Sequence, residues 1–205
     1  MHKGLLGKFF LSTTIITLTT SMVLAAAKTE TFKVDTAKSS VDWKGSKVLV
    51  KTVHNGQLSI KEGSLEIKDN KLVGGKIVVD MNSLTDKDLE SNPEYHAKLL
   101  KHLKSDDFFN AEKYPTSTLV IKSVETKSAT DVVLKGDLTI RDQTQAIEVP
   151  AKVKIEKTSA TGEATIKLDR TKWGLKYGSG QFFKDLGDKV ISDEFELAVK
   201  IEAKK

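Results

Sequence analysis

From Gly56 to Met81 apolar and polar residues alternate almost without interruption. Leu58 and Ile60 are interleaved with Gln57, Ser59 and Lys61, and Leu65 and Ile67 with Ser64, Glu66 and Lys68. Past an Asp69-Asn70 turn, Ile77, Val79 and Met81 continue the pattern. Strand side chains point to opposite faces with period two, so this ribbon has one apolar face and one charged face. Its apolar parity passes from even to odd numbers between Ile60 and Leu65. A slip of one residue turns every side chain over, so a bulge or tight bend at Glu62-Gly63 is expected, in one long bent strand, the favoured reading, or in a hairpin.

The same alternation marks most of the remaining chain. Thr31 to Asp35 and Ser40 to Lys44 read as short strands around a polar turn, and Val48 to Val53 as a third. Thr116 to Val124, Val132 to Ile140, Ile147 to Ile155, Ala164 to Leu168 and Phe195 to Ile201 follow, with turns such as Arg141 to Thr144 between them. Pro150 cannot donate to a ladder, so an unpaired position or bulge is expected beside it. The exception is Asn92-Pro93-Glu94, which has the capping side chain, first-turn proline and acid of a helix start. His96, Leu99, Leu100 and Leu103 follow on one helical stripe. Thr171 to Lys189 is a loop carrying Trp173, Tyr177, Phe182 and Phe183 among glycines. About eight strands and one helix predict an all-β antiparallel sandwich or barrel.

Charge decides which face is wet. Lys152, Lys154 and Glu156 share one parity, a density that acyl chains could not accept, so an outer-membrane barrel is excluded and the apolar face points inward. Eight strands enclose room for packed side chains or one small ligand. A filled core and a lined tunnel use the same residues, and both stand at this point. A tunnel would take an oily guest, since a five-carbon isoprene unit contributes roughly 3–4 kcal/mol before ordering costs.

The N-terminus has a different composition. Lys3 and Lys8 precede a mostly apolar run from Phe9 to Leu24, and Ala25-Ala26-Ala27 gives a small-residue cleavage pattern. Residues 1–27 are expected to be a secretory signal peptide, leaving 28–205 as one domain, periplasmic or secreted, with no stable membrane span after cleavage. The chain has no cysteine, so it does not rely on disulfides. Without Lys3 and Lys8, 31 basic residues face 28 acidic ones. The lysines are scattered, Arg141 and Arg170 are the only arginines, and no basic face with stacking aromatics emerges, so nucleic-acid binding is not expected.

Several segments carry a family resemblance. His102-Leu103-Lys104-Ser105-Asp106-Asp107-Phe108-Phe109-Asn110, followed by Tyr114-Pro115, resembles the hallmark segment of the YceI-like family. Ser40-Val41-Asp42-Trp43, Gly136-Asp137-Leu138-Thr139-Ile140-Arg141 and Asp169-Arg170-Thr171-Lys172-Trp173-Gly174 are similar to further family motifs, in the family's order. The resemblance implies an eight-stranded antiparallel lipocalin-like barrel with one inserted α-helix. It also implies a small amphiphilic partner, a polyisoprenoid chain or isoprenoid quinone, held in the barrel, and no shared catalytic set.

On this basis the residues expected to face a lipid are Trp43, Leu58, Ile60, Leu65, Ile67, Val79, Leu103, Phe108, Phe109, Leu138, Ile140, Trp173, Phe182 and Phe183. His102, Arg170 and Lys172 are the head-group candidates, with a hydrogen-bonded loop or a salt bridge as their structural alternatives. No metal, cofactor or catalytic residue is expected; the lipid itself is the only bound group. Asp106 and Asp107 are read as loop hydrogen-bonders, and Gly178-Ser179-Gly180 lacks what a P-loop needs. A hydrolase of lipid-like substrates and a structural protein with a filled barrel remain the rivals to a carrier, and a homodimer is left open.

Overall fold

The computed structural model describes residues 28–50 and 52–205; the expected signal peptide lies outside the described residues. Nine strands form one antiparallel sheet: β1 (Glu30–Val34), β2 (Ser40–Ser46), β3 (Val53–Lys68), β4 (Lys71–Asp80), β5 (Thr116–Thr126), β6 (Asp131–Ile140), β7 (Gln143–Ile155), β8 (Ser159–Asp169) and β9 (Glu194–Lys204). One α-helix, α1 (Pro93–Lys104), lies between β4 and β5. Each strand pairs with the next from β3 to β9, and β2 closes the ring between β9 and β3.

Nine strands fill eight staves. β1 and β2 both lie antiparallel to β3 and to β9, β1 against one half of each and β2 against the other. They form one stave broken at Asp35 to Ser39. The break would leave Glu202 of β9 unpaired. Ser39 repairs it, its hydroxyl accepting from the Glu202 N–H at 2.9 Å, while Asp35 N–H donates to the Glu202 carbonyl at 2.8 Å. Buried backbone groups need such partners.

β3 is the long bent strand that the parity switch predicts. Ile60 pairs with Val79 and Glu62 with Val78, so Lys61 is the extra residue of a bulge. Leu58 and Ile60 before it and Leu65 and Ile67 after it are all buried. Beside Pro150 the ladder between β7 and β8 ends: it runs only from Ala151–Ala164 to Ile155–Ala160. Past that point the wall splits, and a 3-10 turn at Arg170–Trp173 covers the split. Trp173 Nε1–H donates to the Leu138 carbonyl at 3.0 Å, and Gln145 Nε2–H to the Lys172 carbonyl at 2.9 Å.

The expected strand at Val48 to Val53 is corrected. Only Val53 belongs to a strand, and Val48 and Leu49 stand in solvent. The segment turns on itself through Lys47 N–H to Thr52 O, and Val48 N–H donates to Val190 O. These bonds tie it to the β8–β9 connection instead of to a ladder.

Helix α1 starts where its sequence says it should, with the Asn92 side chain capping and Pro93 in the first turn. No residue of the helix is fully buried. It is a cover over the barrel end formed by β2, the start of β3 and the end of β4. No described helix is long and apolar enough to cross a membrane.

Candidate lipid-binding site

The barrel interior differs between its two ends. Around β1, Phe32, Val34, Ile60, Leu65, Ile67, Leu72, Ile121, Val153, Ala160, Ile201 and Ala203 form a packed cluster. Toward α1 the same alternation encloses a chamber of about 570 Å³, within the roughly 300–1,000 Å³ usual for small-molecule sites. Its wall is made by Val41, Trp43, Leu58, Ile77, Val79, Leu119, Leu138, Ile140, Ile147, Ile166, Phe195, Leu197 and Val199. Its cover is made by Leu99, Leu103, Phe108 and Phe109 from one side and Leu175, Tyr177, Phe183 and Ile191 from the other. Ser117, buried in the wall, is satisfied by donating to the Thr139 carbonyl at 2.7 Å.

The segments that carry the family resemblance meet at this end. Ser105 closes α1 by donating its N–H and hydroxyl to the His102 carbonyl, and the chain folds back with Phe109 N–H on Leu103 O and Ala111 N–H on Lys104 O. That return places Phe108 and Phe109 against the chamber. Arg141 clamps it: Nη1 donates to the carbonyls of Asp106 and Phe108, and Nη2 meets the Asp106 carboxylate at 2.8 Å. Asp106 also accepts from Asn110 Nδ2, and Asp107 pairs with His102 at 3.1 Å. Both acids therefore work as loop hydrogen-bonders. Trp43 Nε1–H donates to the Thr85 carbonyl at 2.9 Å, which ties β2 to the segment leading into α1.

Of the fourteen residues expected to face a lipid, Trp43, Leu58, Val79, Leu103, Phe108, Phe109, Leu138, Ile140 and Phe183 line the chamber. Ile60, Leu65 and Ile67 do not reach it, because their half of β3 runs into the packed cluster. Trp173 is buried beneath the split wall in a second cluster with Leu138, Ile140, Leu168 and Leu175. Phe182 lies outside, with the Lys176 ammonium 4.7 Å from its ring centroid. Wall residues such as Leu119, Ile166, Leu197 and Val199 carried the right parity, yet nothing in the sequence said which end of each strand is hollow.

The head-group candidates separate. His102 lines the chamber, its ring edge-on between Phe108 at 5.1 Å and Tyr177 at 4.6 Å. Arg170 lines it too but has nothing left to offer a guest. Nε donates to Ser192 O, Nη1 to Leu175 O and Tyr177 O, and Nη2 to Ile191 O, with the Asp193 carboxylate 3.2 Å away. A guanidinium has five N–H donors; four are hydrogen-bonded to these carbonyls, and the Asp193 carboxylate faces Nη2 as an ion pair. Burial pulls its pKa down, opposed by Asp193 and Asp169. Arg170 thus organises the covering loop. Lys172 is exposed and does not line the chamber.

Three lysines that the sequence did not single out border the chamber: Lys47 and Lys189 at its opening, and Lys44 on the outward parity of β2. Among the described residues no carboxylate lines the chamber, and none of the three lysines makes an ion pair. Scattered lysines along β2 and in two loops have no sequence signature; only ring closure brings them together.

A YceI-like domain model matches residues 32–203. The chain belongs to the YceI-like family. A UPF0312 protein of Vibrio cholerae is 31% identical over 136 residues, 62% of this YceI-like chain and 69% of that protein. One from Shewanella denitrificans is 32% identical over 96 residues, 47% of each chain. Among solved structures, BcnA of Burkholderia cenocepacia superposes with a TM-score of 0.61 at 22% identity, covering 83% of this chain and 99% of that one. A polyisoprenoid-binding domain of Saccharophagus degradans gives 0.60 at 14% identity, covering 84% and 97%. At these identities the structures share the YceI-like barrel, and the eight-stave architecture with one helix agrees with theirs.

Proposed function

We propose that this YceI-like barrel is a binding protein for an amphiphilic isoprenoid lipid, with the chain in the chamber and the head group at the rim. One observation carries the reading: a partly open apolar chamber whose charged lining residues are all basic. Apolar walls take an oily tail by removing it from water, without directed contacts. Lys47 and Lys189, without ion-pair partners beside the opening, favour an anionic head group such as a prenyl phosphate over a neutral one. The structural neighbour named for polyisoprenoid binding supports the tail assignment, since it is built on the same barrel. The signal-peptide layout of residues 1–27 supports a place outside the cytoplasm. A carrier also suits the polar groups better than a hydrolase does. Among the described residues no histidine is hydrogen-bonded to a serine hydroxyl.

Mass spectrometry of an organic extract of the purified, denatured protein tests the reading. A prenyl lipid near one per chain is the expected result. A clean extract, together with no uptake of added prenyl phosphate or prenyl quinone, overturns it, and turnover of the lipid points to an enzyme. Replacing Lys47 and Lys189 together by Gln is expected to weaken prenyl phosphate binding about tenfold, or ~1.4 kcal/mol. The salt dependence of binding should flatten, and a neutral prenyl alcohol should bind as before. Equal losses for both probes would remove the head-group assignment and leave the tail site standing.

A further inference from the structure

Beside the chamber rim, the segment between the 3-10 turn Met81–Ser83 and α1 runs along the start of β3 like an added strand. Thr85 N–H donates to Gln57 O at 2.9 Å and Lys87 N–H to Asn55 O at 2.8 Å. This register brings His54, Asp86 and Asp88 together, with one potential ligand atom from each lying within 4.8 Å of the others. Asp88 takes the Asn55 N–H on Oδ1 and His54 Nδ1 on Oδ2, both at 2.8 Å.

Asp86 is the unusual member. Its side chain is 1% exposed. Oδ1 accepts from the Leu89 N–H at 2.9 Å, but Oδ2 is buried with no hydrogen-bond partner. The nearest lysine in sequence, Lys87, turns away to Asp42 at 3.0 Å. A buried carboxylate oxygen without a cation or donor is costly, and this one has a second carboxylate as its neighbour. The frame around it is built: the His96 ring donates from Nε2 to the Asp86 carbonyl at 3.1 Å, locking the loop to α1.

We propose that His54, Asp86 and Asp88 form a binding site for a divalent transition cation of the Zn²⁺ class. One imidazole and two carboxylates are a donor set such ions accept, with water completing the shell. Zinc bonds of about 2.1 Å set neighbouring ligands about 3.4 Å apart. His54 Nδ1 and Asp88 Oδ2, now 2.8 Å apart, would open to that spacing and exchange their hydrogen bond for bonds to the ion. The cation neutralises the Asp86–Asp88 pair and gives Oδ2 its missing partner. Because His54 also lines the chamber, the ion stands at its rim. Sequence spacing hides the site, since His54 is more than thirty residues from both acids.

Calorimetric titration of the chelator-stripped protein with ZnCl₂ tests this. One ion per chain is expected, with a higher thermal midpoint in the bound form. Asp86→Asn keeps an acceptor for the Leu89 N–H and is expected to fold; it should lower zinc affinity at least tenfold, as should His54→Gln. Absorption of the Co²⁺ form should report a nitrogen–oxygen site that disappears in both variants. No binding by the parent protein, or unchanged affinity in both variants, overturns the proposal. Both readouts report metal binding alone, so neither outcome decides whether the chamber takes up a lipid.

Discussion

The barrel half around Phe32 is packed solid, whereas the half around Leu197 encloses about 570 Å³. Both are walled by the same eight staves and the same alternation, so strand pattern does not separate them. Their connections do. At the solid end the strands turn tightly, as at Asp69-Asn70, where both residues adopt positive φ. At the hollow end two long segments, 81–115 and 170–193, cross the opening. Polar clamps hold them in place: Arg141 on Asp106 and Phe108, Arg170 on four carbonyls, Trp173 on Leu138 and Trp43 on Thr85. Clamps anchored on the rim keep the cover from sinking into the space below. The comparison teaches that cavity formation here is a property of the loops, not of the strands.

The largest test of this difference is a truncation at each end. Phe32 is 1% exposed, so Phe32→Ala should leave an unfilled void and cost about 3–5 kcal/mol. Leu197 already faces empty space and has lost part of its contacts, so Leu197→Ala should cost less than about 2 kcal/mol. Equal costs in denaturant titration would mean that the chamber is closed up in solution. Next in size is the clamp. Arg170→Gln leaves several buried carbonyls unpaired and removes the cation beside Asp193, at about 3 kcal/mol. Because those partners lie in the covering loop, proteolysis between Leu175 and Ile191 should accelerate while the Phe32 end stays protected. Uniform loss of protection would show that Arg170 supports the whole barrel instead.

These expectations also mark what the sequence could and could not say. The irregularity near Glu62 was legible because the apolar parity switches there; the ladder to β4 decides for a bulge in one bent strand over a hairpin. The break beside Pro150 was legible because proline lacks an N–H. The turn at Lys47 to Thr52 was not, since Val48 to Val53 has the composition of a strand and its tie to Val190 is non-local. For Arg170 the sequence offered a head-group contact or a salt bridge, and the ion pair with Asp193 fits the second; the four carbonyls it also holds lie in a loop whose path no local pattern reveals. Ile60, Leu65 and Ile67 share parity with the chamber wall but belong to the other end.

A filling substitution sharpens the comparison at lower energetic cost. Leu197→Phe adds volume where there is room, so stability should change by less than about 1 kcal/mol, while the same enlargement at Ile67, inside the packed cluster, should cost about 1–3 kcal/mol. Uptake of a prenyl probe should fall about tenfold in Leu197→Phe, equivalent to ~1.4 kcal/mol. Fluorescent prenyl probe titration reads this directly. A Leu197→Phe protein that binds as well as the parent would place the guest elsewhere.

The smallest effect concerns the turns of the solid end, where surface ion pairs replace clamps. Glu125 on β5 is held below its ordinary value, first by the hydrogen bond from Lys127 and then by Lys135. A carboxyl whose pKa is lowered on folding adds stability above its unfolded value of 4.5, and that contribution is lost as pH falls through the lower folded value. Glu125→Gln should therefore lower the thermal midpoint slightly at pH 7, and the gap should close in acid. Both partners are exposed and screened by salt, so the shift should also shrink in high salt. A gap that persists at low pH would trace the effect to packing, and would mean that this end needs more than tight turns to stay shut.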